Sequence, residues 1–144
     1  MASLFELRSA SPSDFDFCWP IYRDAMQPLA EAPMEWREPA QRRVVELALA
    51  DPGSSILRME GTDSGWLHVE ETRHVIQLRQ LHVLPAMRNR GLGTSFLNWM
   101  KERADRKRKD LTLEVTTNNP ARRLCERSGF KAVAVSDGKI TMRS

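Results

Sequence analysis

Apolar and polar positions alternate over residues 4–8, a period of two that predicts a short strand. Ser11-Pro12 then supplies a helix cap and a proline at the first helical position. Beyond it Phe15, Trp19, Tyr22 and Met26 recur at spacings of three and four, which puts them on the core-facing side of a helix running to about residue 26. Pro28 and Pro33 interrupt the helical period, so a loop or broken helix leads into a second helix over residues 39–50, stopped by Asp51-Pro52-Gly53. The period then changes again. Strands are predicted over 55–60, 65–70 and 75–83, with turns at 61–64 and at Thr72-Arg73, an antiparallel meander. Leu92, Phe96, Met100 and Ala104 mark one side of a helix over 91–106, and a strand follows over 111–115; a crossover helix between two strands implies that they pair in parallel. A last helix over 120–128 ends at Gly129, and strands over 130–135 and 139–142 close a hairpin across Asp137-Gly138. The predicted order is βααβββαβαββ.

A chain of 144 residues is within the range of a single domain, here residues 1–144, with one core. With 41% hydrophobic and 28% charged residues it has the balance of a soluble globular protein, which excludes the disordered and fibrous classes. Lys and Arg exceed Asp and Glu by 22 to 19, a mild excess that suits a phosphate-bearing ligand without indicating nucleic acid. Cys18 and Cys125 are too few and too far apart for a disulfide framework or a zinc site, so no metal is expected and a reducing compartment fits. No apolar run approaches the ~20 residues that cross a bilayer, and the first ten residues lack the basic flank and apolar stretch of a signal peptide. The expectation is a cytoplasmic protein without membrane contact.

Arg88-Asn89-Arg90-Gly91-Leu92-Gly93-Thr94 falls between the end of a predicted strand and the start of a helix. Amides without intrahelical partners and the positive helix end point there toward one place, which suits a diphosphate. Gly91 and Gly93 leave the backbone open to close approach, and Arg88 and Arg90 add charge at the rim. The segment lacks the Lys-Ser/Thr of the Walker loop, and it lacks both the third glycine and the first-strand position of the dinucleotide fingerprint.

This segment, with the preceding Val83-Leu84-Pro85, resembles the Arg/Gln-x-x-Gly-x-Gly/Ala motif of the GNAT acetyltransferase superfamily. Downstream, Asn119-Pro120-Ala121-Arg122-Arg123-Leu124-Cys125-Glu126-Arg127-Ser128-Gly129-Phe130 is similar to that family's Asn-x-Ala-x-x-Leu-Tyr-x-x-x-Gly-Phe segment. The resemblance implies a mixed α/β (α+β) fold: a mostly antiparallel seven-stranded sheet flanked by four helices. It further implies an N-acetyltransferase that moves an acetyl group from acetyl-CoA to an amine by direct attack in a ternary complex. By the same resemblance the donor lies in a V-shaped split between the strands ending at Val83 and starting at Leu111. Backbone groups of Leu81 and Val83 hold its pantetheine, the segment from Arg88 to Thr94 (Arg88, Asn89, Arg90, Gly91, Leu92, Gly93, Thr94) holds its pyrophosphate, and Asn119 also contacts CoA. The Val83 amide would polarise the thioester carbonyl.

Attack needs an uncharged amine and hence a base. The strand position that relatives often use for it is Gln77 here, with Arg79 next on the same face, and neither is a base. If the turn at Thr72-Arg73 is symmetric, His68 lies across from Gln77 and a neutral imidazole there accepts a proton; otherwise it is a structural or solvent-facing histidine. Glu70 is a similar candidate. Cys125 stands where most relatives carry the tyrosine that protonates the leaving thiolate. Its reference pKa near ~8.5 makes transfer to CoA's thiolate nearly thermoneutral, and a small packed helix residue is the alternative.

The resemblance puts the acceptor site at the connection between the first two helices, where Glu31, Glu35, Glu38 and Trp36 occur; carboxylates there would suit a cationic amine, small or on a protein. Tyr22 and Trp66 are read either as core or as walls of that site. The basic run over residues 101–109 has no interleaved aromatics and sits at a helix C-terminus, where cations are favoured, so no nucleic acid is expected. Relatives commonly dimerise, which makes a homodimer the expected assembly. The other functional class is a catalytically silent module that binds acetyl-CoA as a sensor.

Overall fold

A computed structural model describes residues 5–30, 36–88 and 91–144. Its strands are β1 (Glu6–Ser9), β2 (Ser54–Met59), β3 (Thr62–Glu71), β4 (Val75–Val83), β5 (Asp110–Thr116), β6 (Lys131–Ser136) and β7 (Lys139–Arg143). Its helices are α1 (Phe15–Met26), α2 (Glu38–Ala50), α3 (Leu92–Lys107) and α4 (Ala121–Arg127). The expected order βααβββαβαββ and the mixed seven-stranded sheet are what form, with strands in the order β1-β2-β3-β4-β5-β7-β6. β4 and β5 pair in parallel over Val75–Leu78 and Asp110–Leu113, as the crossover helix requires, whereas the other described ladders are antiparallel.

Differences from the sequence expectations are local. The first helix begins as a 3-10 turn over Pro12–Asp14, because Asp14 accepts the Ser11 N–H at 2.9 Å and closes a capping box. The β2–β3 turn is tighter than residues 61–64: it is the pair Glu60-Gly61, both at positive φ, so Thr62 to Ser64 already belong to β3. Asp137-Gly138 makes the same kind of turn, as expected. The β3–β4 turn is closed by the Thr72 N–H donating to Val75 O at 2.8 Å, which centres it on Arg73-His74 rather than on Thr72-Arg73. Leu4, at the start of the first predicted strand, lies outside the described residues.

The chain gathers into two compact units, Met1–His68 with Gln80–Ala86, and Val69–Arg79 with Met87–Ser144. In the first, Cys18, Trp19 and Tyr22 of α1, Val45, Ala48 and Leu49 of α2, Ile56 and Trp66 form the core. Phe15, Met26 and Trp36 pack against it, so the three-four spacing of α1 does mark its buried side. The Arg42 guanidinium lies 4.8 Å from the Phe15 ring centre and 5.3 Å from that of Trp19, tying α2 to α1. In the second unit Leu92, Phe96, Leu97, Met100 and Ala104 of α3 are buried, as are Leu111, Leu113, Ile140 and Met142 of the adjacent strands. The basic run is largely used within this unit: Lys107 and Lys109 bind Glu71 at 2.9 and 2.6 Å, and Lys101 donates to the Ser128 carbonyl at 2.6 Å.

Candidate functional site

Gly91 sits at φ 73°, ψ 6° as the N-cap of α3 and, being glycine, brings no side-chain cap to that helix end. The glycine is needed here for its left-handed conformation, since a Cβ at this position would meet nothing within 4 Å. Ser95 N–H returns to Gly91 O at 3.0 Å, so the amides of Leu92, Gly93 and Thr94 are the ones an α-helix leaves without an intrahelical acceptor. At Gly93 a Cβ would lie 2.9 Å from Leu124 Cδ2, the flexible end of an α4 side chain. Both glycines were expected to clear space for phosphates. Arg88 is exposed in the turn after Pro85–Met87. Asn89 and Arg90 lie outside the described residues.

Asn119 is half-buried, and its Oδ1 accepts the Ala121 N–H at 2.9 Å, so its carboxamide oxygen starts α4. Cys125 is buried on that helix, and desolvation, then Glu126, push its thiol up to about 11. A thiol held neutral in this way gives up its proton less readily than the free side chain.

β4 ends on Leu81-His82-Val83, all half-buried, and its ladder with β5 takes in only its first four residues. This end lies against β3 with little room: a Cβ on Gly65 would come within 2.6 Å of His82 O and 3.3 Å of Val83 Cα. The Leu84 N–H donates to Ser64 O at 2.9 Å and completes the seat. Sequence reasoning missed this, having read Ser64-Gly65 as the edge of a turn.

His68 is buried, with Nε2 3.0 Å from Asp51 Oδ2. Asp51 lies at the end of α2 and also accepts the Gly53 N–H at 2.9 Å; that bond first, then His68, holds its carboxyl below the ordinary range. With a carboxylate as acceptor, Nε2 carries hydrogen, and the histidine fastens the α2–β2 loop to β3. In the second unit Gln77 donates to Glu114 Oε1 at 3.3 Å, and Arg79 lies 3.9 Å from Glu70.

Tyr22 and Trp66 are core residues with one polar outlet. The Tyr22 hydroxyl donates to Gln41 Oε1 at 2.5 Å, and burial raises its pKa. Trp36 stacks on Trp19 and leans on Tyr22, at 6.3 and 6.2 Å between ring centres. Glu38 opens α2 as an exposed residue, while Glu31 and Glu35 lie outside the described residues. The same cluster includes His82, which sequence reasoning did not single out: its ring stacks on Trp66 at 5.6 Å and meets Tyr22 nearly edge-on at 5.4 Å. Its place directly before Val83 was the available signal.

Among the described residues no three His, Cys, Asp or Glu come together as a metal site, and no helix is long and apolar enough to cross a membrane.

A family model described as the acetyltransferase (GNAT) family matches residues 6–130. Curated protein sequences return no match. Among solved structures, the PaiA N-acetyltransferase from Thermoplasma acidophilum in complex with coenzyme A superposes with a TM-score of 0.74 at 15% identity, over 100% of this chain and 99% of that one. Ard1 from Thermoplasma volcanium gives 0.69 at 18% identity, over 98% and 97% of the two chains. An N-acetyltransferase from Staphylococcus aureus Mu50 gives 0.70 at 15% identity, over 96% and 100%. At such identities the likeness is one of fold.

Proposed function

This chain belongs to the acetyltransferase (GNAT) family, and on that premise we propose that it is an N-acetyltransferase using acetyl-CoA as donor and a small-molecule or protein amine as acceptor. The observation that carries the donor is the opening of α3: a left-handed glycine N-cap, which has no side chain to occupy the amides that follow, suits an anion, and a fold neighbour was solved with coenzyme A. In this reading the amides of Leu92, Gly93 and Thr94 receive the pyrophosphate, with Arg88, Asn89 and Arg90 beside it and Asn119 on a nearby part of the cosubstrate. The backbones of Leu81 and Val83, beyond the end of the β4–β5 ladder, hold the pantetheine arm. The Val83 N–H then donates to the thioester oxygen as negative charge grows there, and an amine attacks the carbonyl carbon directly.

Cys125 is assigned to packing, and solvent delivers the proton to the departing thiolate, a group acidic enough to leave with little help. The buried free thiols of Cys18 and Cys125 accord with a reducing compartment, the cytoplasm.

Thermal unfolding with acetyl-CoA, CoA, ATP or NAD tests the donor, with each protein compared to its own ligand-free melt. At about 100 times its dissociation constant a ligand stabilises the fold by about 2.7 kcal/mol, a shift of roughly 5–10 °C for a domain of this size. The expected result is a shift with acetyl-CoA and CoA that Gly91→Glu abolishes. No shift with either would remove the donor assignment. Free CoA thiol released across an amine panel then separates an enzyme from a silent acetyl-CoA-binding module.

A further inference from the structure

The seven residues of α4 make barely two turns, too few to hold a helix without tertiary contacts. Within the second unit, α3 supplies two of them. Leu124 Cδ2 lies against Gly93, 2.9 Å from where a Cβ would stand. Lys101 reaches the other end of α4 and donates to Ser128 O at 2.6 Å. From Gly93 to Lys101 is about 12 Å along α3 and from Leu124 to Ser128 about 6 Å along α4, and a lysine side chain leaning toward the start of its own helix makes up the difference. Both steps run from N- to C-terminus, so the two helices point the same way and their beginnings share one end. At that end stand the amides of Leu92, Gly93 and Thr94 on α3 and, just ahead of α4, Asn119, whose Oδ1 accepts the Ala121 N–H.

The backbone of α4 closes its C-terminal end through the carbonyls of Leu124, Cys125 and Glu126. Ser128 N–H returns to the first two, Phe130 N–H to Cys125 O and Gly129 N–H to Glu126 O, at 3.0–3.1 Å. The Ser128 carbonyl lies beyond these, at the negative end of the helix, where an ammonium is favoured both as a charge and as a hydrogen-bond donor. Gly129 makes room for it: φ is 93°, and a Cβ would lie 3.1 Å from Lys101 Nζ. The glycine that ends α4 thus serves the lysine as well as the turn.

We infer that Lys101 is a positioning residue for the acyl donor: by capping α4 it holds that helix alongside α3, so that Asn119 and the α3 amides meet one cosubstrate molecule. The role rests on the acetyl-CoA reading above. Lys101 acts through α4 and does not touch the donor, since it stands about two turns along α3 from those amides and at the opposite end of α4 from Asn119. By linkage, donor binding must in turn tighten the cap.

Calorimetric titration with CoA, on proteins kept well below their melting temperatures, tests this. Lys101→Met keeps an apolar stem and removes the donor; it should raise the dissociation constant about tenfold or more. Lys101→Arg, whose guanidinium also donates to a carbonyl, should bring it back to within about threefold of the parent. Urea unfolding is followed alongside. A methionine variant that loses stability but binds CoA within about twofold of the parent has lost a structural tie alone and overturns the role, as does a folded arginine variant that binds no better than the methionine one. Should Lys101→Met not fold, the parent decides: CoA should slow hydrogen exchange at the Gly129 and Phe130 amides more than at those of β2, and equal slowing overturns the role. A parent with neither binding heat nor thermal shift for CoA and acetyl-CoA removes the acetyl-transfer reading and this role with it; binding by the parent confines any failure to Lys101.

Discussion

An alanine at position 65 would bring its Cβ to 2.6 Å from the His82 carbonyl oxygen, and that neighbour is backbone, which cannot swing aside. Gly65→Ala must therefore push the end of β4 away from β3, at an overpacking cost of about 1–3 kcal/mol. Because the displaced residues are His82 and Val83, urea unfolding should show the loss of stability, and the acetyl-CoA thermal shift should weaken with it. A variant with unchanged stability would show that β3 and β4 yield easily at this point. Residue identity was enough to raise Cys125 and His68 as chemical candidates, since both types are reactive in solution. Their environments were not legible. Burial pushes one thiol up to about 11, and Asp51, seventeen positions away, engages the imidazole of the other.

At the scale of elements, α3 separates two reasons for a glycine that its motif merges. Gly93 faces the flexible end of Leu124, which can rotate, and alanine gains about 1 kcal/mol of helix propensity over glycine. Gly93→Ala should thus hold stability within about 1 kcal/mol of the parent, as judged by urea unfolding. If the pyrophosphate needs the bare backbone, the same substitution cuts the acetyl-CoA thermal shift; an undiminished shift would assign Gly93 to helix packing alone. The helices were legible because their apolar positions repeat every three or four residues, and α1 and α3 bury the positions so marked. Turns were less so. Glu60-Gly61 closes β2 onto β3 with a non-glycine residue at φ 52°, a conformation that composition alone does not disclose.

For the molecule as a whole, acid should be the most revealing perturbation, because each unit carries its own ion cluster. In the first, Arg8 donates to Asp14 at 2.8 Å and to Asp63 at 2.9 Å, and those bonds hold both carboxyls below their ordinary values. In the second, Lys109 and then Lys107 lower Glu71 from 4.5 to about 2. A carboxyl whose folded pKa lies below its unfolded one contributes stability above the unfolded value and loses it as pH falls toward the folded value. The urea midpoint should accordingly hold steady above about pH 4.5 and decline below it, from 4.5 toward about 2 for the Glu71 contribution. Arg8→Met should flatten part of that decline. Arg8, Asp63, Glu71 and Lys107 are partly exposed, so added salt should diminish the effect. A midpoint independent of pH over this range would deny both clusters a role.

The order of elements, the crossover that makes β4 and β5 parallel, and the glycine-rich opening of α3 were determined by the sequence itself. They depend on hydrophobic period, chain direction and backbone freedom, which are properties of neighbours along the chain. Only the tertiary structure decided that β7 inserts between β5 and β6, that Gly65 seats the end of β4, and that His82 stands against Trp66 and Tyr22 with its Nε2 2.7 Å from Gln80 Oε1. Apart from Gln80, those relations join residues distant in sequence. They turn on register and clearance between strands, where an error of one residue reverses the face a side chain takes, and no local pattern records them.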